Sequence, residues 1–99
     1  MFIWFQNNNV NSSLSALNSN IVTQTVTCTY LSQYYLVGKI ESLYSEKNYT
    51  ITATLKDASG ISIDSIEMVR VSDKNIYCTS NGAFTENNIA YVDVIAIAK

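Results

Sequence analysis

The chain has 99 residues, 47% of them hydrophobic and only 14% charged, with a formal net charge of −2. That length makes one domain around one core, and a charged fraction below the roughly 25% of an average soluble protein leaves Asn, Ser and Thr to supply the polar surface. The apolar content argues against disorder, and the scattered Lys and Arg residues form no basic stripe, which argues against nucleic acid.

Met1 to Phe5 (MFIWF) reads as a short apolar strand or arm. It lacks a charged leader and falls short of the apolar core of about 7–15 residues that a secretory signal needs. No segment approaches the roughly 20 apolar residues that span a bilayer as a helix. Burying Phe2, Ile3, Trp4 and Phe5 is worth about 1.5–3 kcal/mol each, against about 1–2 kcal/mol of backbone entropy per residue. Docking somewhere is therefore favoured, either in the chain's own fold or on a neighbouring subunit. Gln6 to Ser13 is an Asn-rich polar connector, so residues 1–13 are read as arm and connector and residues 14–99 as a single β domain.

Val22 to Tyr30 alternates cleanly, with Val22, Val26, Cys28 and Tyr30 on one face and Thr23, Thr25, Thr27 and Thr29 on the other. Leu31 to Gln33 turns the chain into a strand over 34–42, where Gly38 marks a bulge or a close backbone approach. Tyr49 to Lys56 repeats the threonine pattern, with Ile51, Ala53 and Leu55 inward and Thr50, Thr52 and Thr54 outward. Asp57 to Gly60 reads as a hairpin turn into Ile61 and Ile63. Ile66 and Met68 are in phase with each other but not with Ile63, which places a bulge or break near Asp64 and Ser65. Asn81-Gly82 is a strong hairpin signal between Ile76–Ser80 and a brief return over Ala83–Thr85. In Ile89 to Ala98 both faces are apolar: Ile89, Tyr91, Asp93, Ile95 and Ile97 on one, Ala90, Val92, Val94, Ala96 and Ala98 on the other. A strand of that kind is covered twice.

Short strands with turn signals every 8–12 residues and no convincing helix point to an all-β fold. The expectation is an antiparallel β-sandwich, immunoglobulin-like or jelly-roll-like, of about seven or eight strands, with a small barrel as the alternative.

The candidate chemistry is thin. With no histidine in the chain, Ser-His, Cys-His and imidazole-metal sites are excluded. The carboxylates Glu41, Glu46, Asp57, Asp64, Glu67, Asp73 and Glu86 fall mostly at turns or wet faces and form no calcium loop. Three glycines build no phosphate cradle. No catalytic residue, metal, cofactor or small-molecule substrate is therefore expected. Asp93 is the one acid on an apolar strand; a hydrogen bond to a Tyr, Thr or backbone amide is its expected partner. Asn11 and Asn48 open N-glycosylation triplets, Asn11-Ser-Ser13 and Asn48-Tyr-Thr50. The tyrosines, including the adjacent Tyr34 and Tyr35, are candidates for a binding patch.

Cys28 and Cys78 lie on the inward faces of two strands, and their spacing resembles the inter-sheet bridge of an immunoglobulin-like domain. No Trp lies between them, and Tyr77 stands one residue before Cys78 instead of two. A disulfide and a pair of buried thiols both satisfy the pattern. The Asn/Ser/Thr/Ile/Tyr-rich, charge-poor composition looks like that of archaeal or viral surface proteins.

These readings converge on a non-enzymatic structural subunit of a virion surface or extracellular filament. Its partners would be copies of itself or other structural subunits, with no nucleic acid and no membrane span. The expected assembly residues are Phe2, Ile3, Trp4 and Phe5 of the arm, with Tyr91, Val92, Val94, Ile95 and Ile97 of the last strand. The alternative is a small monomeric binding module or inhibitor.

Overall fold

A computed structural model describes residues 20–44 and 46–99. Six strands form one antiparallel sheet: β1 (Ile21–Ser32), β2 (Tyr35–Lys39), β3 (Tyr49–Ser59), β4 (Ile66–Ser72), β5 (Asn75–Ser80) and β6 (Ile89–Ala98). A single 3-10 turn, Ile63–Ser65, precedes β4. The strand order is β3-β6-β1-β2-β5-β4. The all-β antiparallel reading holds, with six strands among the described residues where the turn spacing of the whole chain gave seven or eight.

β1 organises the sheet because it is long enough to serve two neighbours. Ile21 to Cys28 pair with Ile97 to Ala90 of β6, and Thr29 to Ser32 pair with Val37 to Tyr35 of β2. The sheet curls about this change of partner. Gly38 on β2 sits at the closest approach: a Cβ there would meet Val26 Cγ1 at 2.5 Å, Cys28 Sγ at 2.8 Å and the Thr27 carbonyl at 2.8 Å. The curl brings β3 and β4, the first and last strands of the order, near one another.

The alternation read from the sequence sets the core. Val26 and Cys28 of β1, Leu36 of β2, Ile76 and Cys78 of β5 and Ala90, Val92 and Val94 of β6 are all buried and pack together with Ile40, Ile66 and Phe84. One end of this core is capped by the loop after β5. Phe84 plugs it, held by its amide donating to the Gln33 carbonyl at 2.9 Å. Behind it, buried Asn88 donates through Nδ2 to the Gly60 carbonyl and accepts from the Thr85 amide, both at 2.8 Å. A buried amide satisfied on both sides fixes the loop at little net loss.

Three local expectations are corrected. Asp57 to Gly60 is not a hairpin. A bulge between Leu55 and Asp57 keeps β3 paired with β6 as far as Ser59, and Gly60 at φ 78° then directs the chain into the 3-10 turn. Asn81-Gly82 is not a hairpin either, and 83–85 make no return strand. The Ser80 hydroxyl accepts from the Gly82 amide at 3.1 Å and donates to its carbonyl at 2.6 Å, a local side-chain turn that replaces the backbone one. Finally, the parity break expected near Asp64 and Ser65 falls partly inside β4, as a bulge between Ile66 and Met68. Met68 is thereby turned outward and exposed, and Val69 and Val71 face the core instead.

Candidate functional site

The feature that stands out is an unfinished wall. β3 pairs only with β6 and β4 only with β5, so among the described residues no strand bonds to the far edge of either. The inward residues record the consequence. Those of β1, β2, β5 and β6 are sealed, while the partly buried hydrophobics against the core are Leu43, Ile51, Ala53, Leu55, Ala58, Ile61, Val69 and Val71. All of these lie on β3, on β4 or on the segments flanking them. The core is thus closed on four strands and leaks to solvent along one seam.

At the end opposite Phe84 the seam widens into a cleft of about 710 Å³ lined by Leu43, Lys47, Asn48, Tyr49, Ile51, Val71, Asp73 and Lys74. The sequence places its walls. The β4–β5 turn needs a residue at positive φ, which Asp73 supplies at 58°, a conformation that Asp and Asn tolerate better than most side chains. Across the cleft the Tyr49 hydroxyl accepts from the Tyr44 amide at 3.1 Å and holds the segment before β3 in place. Ser42, also at positive φ (67°), turns the chain into that segment. The Asn20 carbonyl accepts from the Ala98 amide at 2.7 Å, and its side-chain oxygen accepts from Lys47 Nζ at 3.4 Å. Asn20, the first described residue, therefore lies next to the cleft.

Comparison with known protein families, curated proteins and solved structures returns no match to this chain.

The sequence-derived candidates fall into distinct places. Phe2, Ile3, Trp4, Phe5 and Asn11 lie outside the described residues. Val92 (0% exposed) and Val94 (2%) are buried in the chain's own core. On the other face of β6, Tyr91 is half-buried while Ile95 and Ile97 are exposed at 46% and 47%. Ile95 sits between two threonines, Thr23 and Thr52, whereas Ile97 faces Ile21 and Thr50. Asp93 lies on that exposed face and accepts a hydrogen bond from the Thr25 hydroxyl at 2.8 Å, the expected kind of partner. Asn48 is exposed at the cleft, with its carbonyl accepting from the Lys99 amide at 2.9 Å.

Cys28 and Cys78 are free thiols, both fully buried. They are hydrogen-bonded to each other, and that bond together with burial pushes the Cys28 thiol well above its ordinary range. Tyr30, Leu31, Tyr34 and Tyr35 form an exposed tip at the β1–β2 turn. Behind it Tyr35 packs edge-on against Tyr77 at 5.8 Å, and the Arg70 guanidinium lies 5.0 Å over the Tyr77 ring. Among the described residues no group of three His, Cys, Asp or Glu side chains could hold a metal ion, and no helix is long and apolar enough to cross a membrane.

The alternation in the sequence gives the inward face of β3 but not the seam. The missing signal is topological: β3 is as apolar on its inward face as any central strand, and only the pairing order shows that it is an edge.

Proposed function

We propose that this chain is a non-enzymatic structural subunit that assembles by strand addition, taking an extended segment of another copy into the seam between β3 and β4. The observation that carries the reading is the seam itself, two strand edges that are unpaired among the described residues, above a row of half-buried Ile, Ala, Leu and Val side chains. Strand addition needs these two elements together: backbone groups that give affinity and pockets for alternate side chains that give register. An exposed apolar edge of this length is otherwise an aggregation hazard.

The donor is the apolar arm, Phe2 to Phe5. Inserted, it would bring the strand count to seven and close the wall, which is the sense in which the sandwich or barrel expected from the sequence is completed. Four large side chains contribute about 6–12 kcal/mol on burial, against about 4–8 kcal/mol of backbone ordering for four residues. Side chains alone thus leave a narrow margin, and the edge hydrogen bonds and the preformed groove decide the outcome. The outward face of β6, with Tyr91, Ile95 and Ile97, supports a second, lateral contact. A subunit of this kind belongs to a virion surface or an extracellular filament.

The test is size. The full chain will run as a concentration-dependent multimer in sedimentation velocity, and deletion of residues 1–6 will leave a folded monomer. A full chain that stays monomeric, or a deletion that leaves the multimer intact, contradicts the proposal. The exposed tip of Tyr30, Leu31, Tyr34 and Tyr35 favours a second reading, a monomeric binding module gripping one partner through tyrosine. On that reading the deletion changes nothing, and Tyr34→Ala removes binding.

A further inference from the structure

The core holds a pair of groups that assembly does not use. Cys28 on β1 and Cys78 on β5 flank β2, and in a flat sheet two strands separated by a third lie about 9.5 Å apart, too far for a bridge. Here the sheet is not flat. Gly38 on β2 has no side chain to hold β1 off, so Cys28 Sγ occupies the space a Cβ would take, 2.8 Å from it. Cα atoms of β1 and β5 come within 8 Å of each other. Leu36 pairs directly with Cys78 and Gly38 with Ile76, and the β1–β2 register sets Cys28 opposite Gly38, so the two buried cysteines lie diagonally across β2 on the inner face. Both side chains are fully buried and hydrogen-bonded to each other.

We propose that Cys28 and Cys78 are a disulfide site, an Sγ–Sγ bond tying β1 to β5 across β2. The bond forms by exchange with a low-molecular-weight disulfide. One cysteine thiolate attacks the reagent and releases one thiol, leaving a mixed disulfide on the protein. The second cysteine then attacks that sulfur and releases the other thiol. The two protein thiols are oxidised, the reagent disulfide is reduced to two thiols, and the protons of the cysteines leave with those products. Because both sulfurs are fully buried, exchange is slow in the native state. The bond is therefore installed while the chain folds. It closes a loop of about fifty residues, the class of cross-link that most restricts the unfolded chain. It lies among the sealed strands, away from the seam, so it rigidifies the acceptor without occupying it. A chain that uses it folds in oxidising surroundings.

The experiment is refolding of the full chain with a mixture of reduced and oxidised glutathione, and in parallel with a reducing agent. The oxidised product will be lighter by the mass of two hydrogens, will show no free thiol to an alkylating reagent in denaturant, and will melt roughly 10–20 °C higher than the reduced protein. The Cys28→Ala, Cys78→Ala double variant will melt at the same temperature under both conditions. A product that keeps two free thiols, stops at a glutathione adduct, or links only between chains overturns the proposal. So does an internal bond that lowers the melting temperature, since that would report a bond forced against the fold.

Discussion

Replacing Gly38 by alanine will destabilise the fold by about 3 kcal/mol, the upper range for overpacking a core, and lower the melting temperature by roughly 15 °C. The added methyl would lie 2.5 Å from Val26 Cγ1, 2.8 Å from Cys28 Sγ and 2.8 Å from the Thr27 carbonyl. A flexible side chain can move aside, but the Thr27 carbonyl belongs to β1 and cannot shift without disturbing the strand. Relief means prising β1 from β2 where the sheet curls, which also moves β3 and β4 relative to each other. Gly82→Ala is the internal comparison. Its Cβ would meet nothing within 4 Å, and the substitution should stay within about 0.5 kcal/mol of the parent. Urea titration of the two variants reads both values, and equal stabilities would remove Gly38 from its role in the curl.

Val71→Lys will weaken assembly about 100-fold, the equivalent of roughly 2.7 kcal/mol, while leaving the subunit folded. Val71 is half-buried on the seam wall and lines the cleft. A lysine there can lay its stem along the wall and lift its ammonium into the cleft water, so the folded subunit tolerates it. An incoming strand would have to strip that water away, and inward-pointing charges are one means by which natural edge strands refuse partners. Ile51→Lys on the facing wall should act alike. Ile95→Lys, on the outward face of β6, should weaken assembly only about fivefold, because a side chain already about half covered has roughly 1 kcal/mol left to gain. Sedimentation velocity over a dilution series separates these cases. If Ile95→Lys proves the more damaging, assembly runs through the outward face and not through the seam.

Much of this fold is written in its alternation. Thr23, Thr25 and Thr27 against Val22, Val26 and Cys28 gave β1 its faces, and Thr50, Thr52 and Thr54 did the same for β3. The two apolar faces of Ile89 to Ala98 called for cover on both sides of the strand, and β6 lies between β3 and β1. Of its two faces, the chain itself covers one. Val92 and Val94 are covered within the chain, whereas Ile95 and Ile97 are open. Turn chemistry misled where side chains competed with the backbone. Asn81-Gly82 carries the hairpin dipeptide, but the Ser80 hydroxyl closes the turn first and buried Phe84 draws the chain across the end of the core. The seam could not be read at all, since strand order depends on contacts between β1 and β6 that are some seventy residues apart in sequence. Period-two patterning reports which face of a strand is buried and is silent on which edge is paired.

The central claim, that the arm of one copy fills the β3–β4 seam of another, is tested most directly by cross-linking from position 4. A full chain carrying a photoreactive phenylalanine analogue in place of Trp4 is mixed with an isotopically heavy unmodified chain, irradiated and digested. The account predicts links from the light arm to heavy peptides of the seam walls, covering Ile51 to Leu55 or Val69 to Val71. Links found only within light chains, or only on the outward Ile95 and Ile97 face, would contradict it.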